Sequence, residues 1–435
     1  MKKTLAALLA ACCMLCSGCT FSAAVDLLIT PPKLSVEQEQ IYKALQSAEG
    51  TNIRLKYPKS GDYLSAFIVG DMDSDGADEA LVFYEKTTMS KEENQLRVTV
   101  LDQIDGAWRS VYSRPAAGAE VEQVTLSALG ENARINIIVG YSLVNQGERI
   151  VEVYDYRNGA LECTLSKDYS VFQVTDLDDN NQKELLLVCG QAASRTANAA
   201  LYLLSANGTY YESHVPLNES FTDCAKLLYG KAVDGTTCIY IDGLTGTASI
   251  QTQILTVRDG VLAVVYADQP ESPVKTVRAA GYLTRDMDHD GIAELPLPTL
   301  FPGYTIATES EQIPMTSWYT YRYGMLARKY SGYYSITDGY AFLMPARWER
   351  KVTVKLDSVA EEVVFYQFHN TLAESTTELL RICATADSVT AADRLDNGYL
   401  LLGQKGGKQY LAQISDAEND LCPTAGEVLY GFQYG

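Results

Sequence analysis

The sequence predicts a mainly β protein: a five-bladed β-propeller with acidic DxDxDG loops, plus a small C-terminal α+β domain. Three observations predict it. A hairpin with a two-residue turn recurs five times. A strand–loop–strand element precedes each hairpin, giving four strands in a repeat of about fifty residues. Beyond residue 332 the rhythm changes.

Residues 1–18 have the form of an export signal: Lys2 and Lys3, then an apolar run from Leu5 to Leu15, too short to span a membrane. The run ends in "LCSGC". Ser17, Gly18 and Cys19 resemble the lipobox of bacterial lipoproteins, although Cys16 stands where an aliphatic residue is usual. The resemblance implies cleavage before Cys19 and a lipid on its sulfur. An ordinary secretory signal is the alternative. No later stretch reaches the ~18 apolar residues of a spanning helix. The expected location is extracytoplasmic, with the membrane reached through the lipid on Cys19.

Residues 19–50 read as a lipid-anchored tether, stiffened by Pro31 and Pro32, and a short helix. Ser35 is placed to cap that helix with Gln38 three residues on, and Gly50 to stop it. Ile41, Ala44, Leu45 and Ala48 form its apolar face.

Residues 51–332 carry the repeats. The hairpin turns are Asp105-Gly106, Asn158-Gly159, Asn207-Gly208, Asp259-Gly260 and Tyr323-Gly324. Asn-Gly and Asp-Gly favour tight turns with positive φ; Tyr-Gly fits less well. The preceding element is "SAFIVGDMDSDGADEALVFYE" from Ser65, "VFQVTDLDDNNQKELLLVCG" from Val171 and "GYLTRDMDHDGIAELPLP" from Gly281. Two further copies, from Glu122 and from Ala225, have lost their acids. One four-stranded unit cannot bury both faces of its sheet, so neighbours must cover it. An array of β-sandwiches is the alternative, but such domains need ~100 residues each.

Residues 333–435 are expected to form the α+β domain, with a short helix near Ala425. The Gly-aromatic strand and Pro-x-x-Trp turn in "GYAFLMPARWERKVTVKLD" resemble the PsbP-like fold; further degenerate blades are the alternative.

The formal charge of −20 excludes nucleic acid as a partner, because phosphate backbones need a positive surface. It suits bound cations. Six cysteines remain beyond Cys19: Cys163, Cys189, Cys224, Cys238, Cys383 and Cys422. None forms a CxxC pair, which excludes the usual zinc spacing, while export permits disulfides. Cys224 and Cys238 are candidates for neighbouring strands.

The acidic loops carry the chemistry. Counting from the first aspartate, positions 1, 3 and 5 are Asp71, Asp73 and Asp75; Asp176, Asp178 and Asn180; Asp286, Asp288 and Asp290. Position 6, the sharp turn, is Gly76, Asn181 or Gly291. Position 7 offers a backbone carbonyl from Ala77, Gln182 or Ile292, and position 9 a carboxylate from Glu79, Glu184 or Glu294. Alternating oxygens on a tight loop suit calcium, a hard ion that takes six to eight of them. These motifs resemble the FG-GAP and VCBS-type repeats of calcium-binding propellers. The resemblance implies that calcium is structural and fastens the loop between two strands. Extracellular modules bind it at about 0.1–1 mM.

No catalytic residue is assigned. HExxH, GxSxG, P-loop and GxGxxG motifs are absent from the sequence. His214, His289 and His369 read as surface or packing residues. The Tyr-rich stretch "SWYTYRYGMLARKYSGYY" from Ser317 reads as packing, with a glycan or protein contact surface as the alternative. The expected function is a calcium-stabilised, non-enzymatic binding or scaffolding module of the cell envelope, with an envelope protein or glycan as partner. The alternative is an envelope polysaccharide hydrolase or lyase with its site in the propeller funnel.

Overall fold

A computed structural model describes residues 34–87, 96–144, 147–194, 196–305, 307–308 and 311–435. The export signal, Cys19 and the tether through Lys33 lie outside the described residues.

Helix α1 (Val36–Glu49) begins where the sequence places it. The Ser35 hydroxyl accepts from the Gln38 N–H, and the Gln38 side chain accepts from the Ser35 N–H. This capping box satisfies two of the orphan donors of the first turn. Gly50 ends the helix at φ 88°. Ile41 and Leu45 are buried and Ala44 is half-buried, but Ala48 in the last turn is exposed. Tyr42 completes the contact instead, edge-on to Phe67.

Six antiparallel sheets follow in chain order. The first holds β1 (Ile53–Leu55), β2 (Phe67–Gly70), β3 (Glu79–Lys86), β4 (Leu96–Ile104) and β5 (Ala107–Pro115). The second holds β6 (Glu120–Ala128), β7 (Ile135–Ser142), β8 (Arg149–Arg157) and β9 (Ala160–Asp168). The third holds β10 (Val171–Thr175), β11 (Glu184–Cys189), β12 (Asn198–Leu204) and β13 (Tyr210–Pro216). The fourth holds β14 (Asp223–Lys231), β15 (Thr237–Leu244), β16 (Ser249–Arg258) and β17 (Val261–Tyr266), with the short β18 (Arg278–Ala279) beside β16. The fifth begins with β19 (Glu294–Leu300), β20 (Pro314–Arg322) and β21 (Met325–Ser335).

Each sheet buries both faces, and the side-chain alternation of a strand explains how. In β11, Leu185 and Leu187 pack on Ile138 and Val153 of the second sheet, while Leu186 and Val188 pack on Ile239 and Leu255 of the fourth. That is why "LLLVC", after Glu184, is apolar without a break. The first and second sheets share Phe83, Val98, Val139 and Tyr154; the fourth and fifth share Tyr240, Ile254, Leu295 and Tyr321. Among the described residues, a buried cluster joins each pair of consecutive sheets, and α1 takes the other face of the first sheet through Ile41, Leu45, Phe67 and Val82.

Four hairpin turns have positive φ at both central residues: Asp105-Gly106, Asn158-Gly159, Asp259-Gly260 and Tyr323-Gly324. They are the tight turns the sequence predicts, Tyr323 included. At Asn207-Gly208 only the glycine is positive. That loop is wider, running from Leu204 to its partner Tyr210, and is held by the Ser205 and Asn207 side chains. In the other four hairpins the ladder slips by one residue, leaving Val111, Thr164, Val265 and Lys329 unopposed. Each stands at the same distance past its turn glycine, so this β-bulge is part of the repeat.

The boundary expected at 332–333 falls inside β21. The fifth sheet continues through β22 (Tyr340–Leu343) and takes β28 (Phe432–Tyr434), the last strand of the chain, as its edge. Between them lies the sixth sheet: β23 (Val352–Asp357), β24 (Glu362–Gln367), β25 (Glu378–Thr385), β26 (Leu400–Lys405) and β27 (Lys408–Ile414). Helix α2 (Ser388–Asp396) separates β25 from β26, and β27 rather than β26 pairs with β25. Helix α3 (Ala425–Gly431) lies where the sequence places it.

Cys224 and Cys238 sit on neighbouring strands but face Gly243 and Gly230, and both thiols are free. The aromatic stretch from Ser317 packs inward through Trp318 and Tyr334. His214, His289 and His369 are exposed. No described helix is long and apolar enough to cross a membrane.

Candidate metal sites in the acidic loops

Each acidic loop enters its sheet at a glutamate. β2 ends at Gly70 and β3 starts at Glu79; β10 ends at Thr175 and β11 starts at Glu184; β19 starts at Glu294, bridged to Arg285. The three loops repeat one hydrogen-bond pattern. The position-1 carboxylate accepts from the N–H groups of positions 5 and 6: Asp71 from Asp75 and Gly76 at 3.1 Å each, Asp176 from Asn180 and Asn181 at 3.1 and 2.7 Å, Asp286 from Asp290 and Gly291 at 3.1 and 2.9 Å. Position 5 accepts from position 7: Asp75 from Ala77, Asn180 from Gln182, Asp290 from Ile292.

Two residues per loop adopt positive φ. Position 4 is Ser74, Asp179 or His289, at 66°, 62° and 60°; position 6 is Gly76, Asn181 or Gly291, at 91°, 66° and 85°. Asn tolerates this region better than most residues, which is how the third repeat manages without glycine.

Position 9 is the anchor. One oxygen of Glu79, Glu184 and Glu294 accepts from the position-2 N–H of Met72, Leu177 and Met287, at 2.7, 2.8 and 2.8 Å. Those three apolar side chains are buried and plug the loop onto the sheet. The glutamates are 1%, 0% and 0% exposed. Burial, with the neighbouring aspartate charges adding, pushes each carboxyl up to about 7. A bound cation relieves both causes.

The structure gathers ligand oxygens in three groups, each within 4.8 Å: Asp71, Asp73 and Glu79; Asp176, Asp178 and Glu184; Asp286, Asp288, Asp290 and Glu294. Two carboxylates at 4.8 Å repel by about 3.5 kcal/mol at an effective dielectric constant of ~20. Asp75 stands outside the first group, whereas Asp290, which caps its position-7 N–H in the same way, belongs to the fifth. Ala77, Gln182 and Ile292 hold position 7, and Ile292 also bridges to Lys231 of the fourth sheet.

The first and third loops fit a hard divalent cation. In the third, Glu184 Oε1 and Asp178 Oδ1 are buried without a hydrogen-bond partner. Two bare carboxylate oxygens turned into one cradle are the donor set of a hard cation. Asp179, at position 4, points away to Lys231 at 2.8 Å and Thr237 at 3.0 Å. In the first loop, among the described residues, no ion pair reaches Asp71, Asp73, Asp75 or Glu79. Asp102 of β4 adds further negative field at Asp73 and Glu79.

The fifth loop is different. The Lys329 ammonium lies 2.8 Å from Asp288, 2.7 Å from Asp290 and 2.8 Å from Glu294. As arranged, the loop does not fit a divalent ion, because a side-chain cation already holds three of its four acids. Neither Lys329 nor Asp102 was singled out by the acid spacing. Both come from the hairpin that follows, and only the fold brings them to the loop.

No protein-family model matches this chain, and no curated protein does. Among solved structures, a Lactobacillus plantarum protein is similar at 13% identity and a TM-score of 0.31, over 73% of this chain and 84% of that one. The periplasmic gluconolactonase of Pseudomonas aeruginosa is similar at 13% identity and 0.29, over 77% and 90%. The exotype rhamnogalacturonan lyase YesX is similar at 13% identity and 0.27, over 73% and 61%. Likenesses at this distance carry no argument about activity.

Proposed function

We propose that the protein is a calcium-stabilised, non-enzymatic binding or scaffolding module of the bacterial cell envelope, anchored by a lipid on Cys19. Its sheets, packed in series at a repeat of about fifty residues, support a β-propeller organisation of FG-GAP/VCBS type. The observation that carries the calcium reading is the pair of unpartnered buried oxygens on Asp178 and Glu184. Among the described residues, the carboxyls raised above their ordinary value are Asp73, Glu79, Glu184 and Glu294, all in the acidic loops. They sit where each loop is fastened to its own sheet. The anchor and the extracytoplasmic location rest on "LCSGC" and on an ion that is plentiful outside the cell.

The test is a thermal melt in calcium and in chelator. At ten times Kd, each occupied site adds about 1.4 kcal/mol. Calcium is expected to raise Tm in the wild type and not in the double variant Asp73→Ala plus Asp178→Ala. Equal wild-type Tm in both solutions refutes the reading. A binding screen on envelope glycans and proteins, run beside polysaccharide-cleavage assays, separates the module from the enzyme.

A further inference from the structure

We propose that the fifth loop takes no divalent ion, because Lys329 supplies its resident cation. The inference rests on the calcium reading of the first and third loops, and it divides the fifth from them.

An ammonium has three hydrogens to donate and nothing to accept with. Lys329 Nζ finds three carboxylates, on Asp288, Asp290 and Glu294, all between 2.7 and 2.8 Å. Glu294 is wholly buried there, and 25% of the Lys329 side chain is exposed. The oxygen left bare on Glu184 in the third loop is, in the fifth, the Glu294 Oε1 bonded to Lys329. Calcium needs oxygens at 2.3–2.6 Å all round it, so it and the ammonium cannot share the cradle. The lysine also holds an entropic advantage, since a tethered group acts at an effective concentration of millimolar or more. That rivals the ~0.1–1 mM affinity of extracellular calcium modules.

The repeat explains how a lysine arrives there. Lys329 is the unopposed residue of the recurring bulge. In the first, second and fourth hairpins that place is held by Val111, Thr164 and Val265, none of them a cation. Val111 packs between the first and second sheets and leaves the acids of the first loop to the ion. In the third hairpin the ladder does not slip, and Ser213, at the same distance from its glycine, accepts from the Leu262 N–H instead. One substitution at a bulge thus converts a metal staple into an internal ion-pair staple. Calcium dependence then belongs to the first three sheets, and the fifth holds together without it.

Equilibrium dialysis of the full-length protein against calcium tests this. Two ions per chain are expected for the wild type and three for Lys329→Met. An unchanged count in Lys329→Met overturns the inference. A count rising from zero to one sustains it while removing the reading of the other two loops. If Lys329→Met fails to fold, Asp288→Asn gives a second test. It is expected to lower Tm equally in calcium and in chelator, and a drop confined to calcium overturns the inference.

Discussion

At the scale of single residues, the position-9 glutamate decides what each loop needs. It is buried because its strand begins inside the sheet, and it stays charged only if something cationic faces it. Glu184 shows the demand most clearly, with Oε1 bare beside the bare Oδ1 of Asp178. A glutamine there keeps the acceptor for Leu177 and offers an amide N–H to Asp178. Glu184→Gln is therefore expected to stabilise the chelated protein by about 1–3 kcal/mol, the cost of unsatisfied buried groups. It should also shrink the gain from calcium. Melts in both solutions check this, and a variant less stable than wild type in chelator contradicts it. The spacing of Asp71, Asp73, Asp75 and Glu79 made the loop legible from sequence, because ligands on one tight turn are neighbours in the chain. Lys329 was not legible: it lies 35 residues beyond Glu294, and its reach depends on a bulge that no local pattern announces.

At the scale of elements, capping chemistry was the clearest signal. Ser35 with Gln38 and Gly50 marked α1 at both ends. Helix α2 leaves a weaker mark in the sequence, although Asp387 caps it by accepting from Val389 and Thr390. Val389 and Thr390 are β-branched, and nine residues give too short a window for a helical period to show. Helix α3 carries a pH prediction. Glu427 closes a capping box with Thr424 and pairs with both terminal nitrogens of Arg347. The Arg347 guanidinium first, and the Thr424 N–H after it, hold its carboxyl down to about 2 from an ordinary 4.5. A depressed carboxyl contributes stability above its unfolded pKa and loses it as pH falls through the folded one. The window therefore runs from 4.5 down to about 2. Glu427→Gln is expected to lower Tm at neutral pH and to flatten the loss of Tm across that window. Parallel curves for variant and wild type rule the carboxylate out.

At the scale of the molecule, serial packing makes stability local. A sheet that touches only its neighbours shares cooperativity with them, and distant sheets are coupled weakly. The buried Arg278–Asp242 pair lies within the fourth sheet, and its carboxylate ties that sheet to the segment ahead of the fifth loop by accepting from the Thr284 N–H and hydroxyl. The fifth and sixth are joined more tightly. β28 is the edge of the fifth sheet, yet its Phe432 belongs to the core shared with the sixth, 5.8 Å from the Tyr340 ring and 5.2 Å from Tyr410. The sequence could show a change of rhythm after residue 332, but not that the last strand returns to an earlier sheet. Such pairing leaves no trace in local periodicity. Phe432→Ala removes a buried ring and is expected to cost about 3–5 kcal/mol. Because the fifth loop carries its own cation, that cost should fall on a part of the molecule that calcium does not reach. Calorimetry is expected to show a calcium-sensitive transition from the first three sheets, unmoved by Phe432→Ala. A second, calcium-insensitive transition from the fifth and sixth sheets should shift down as one. A single transition that answers to both calcium and Phe432→Ala would show instead that the sheets unfold together, and that the two kinds of staple act on one cooperative unit.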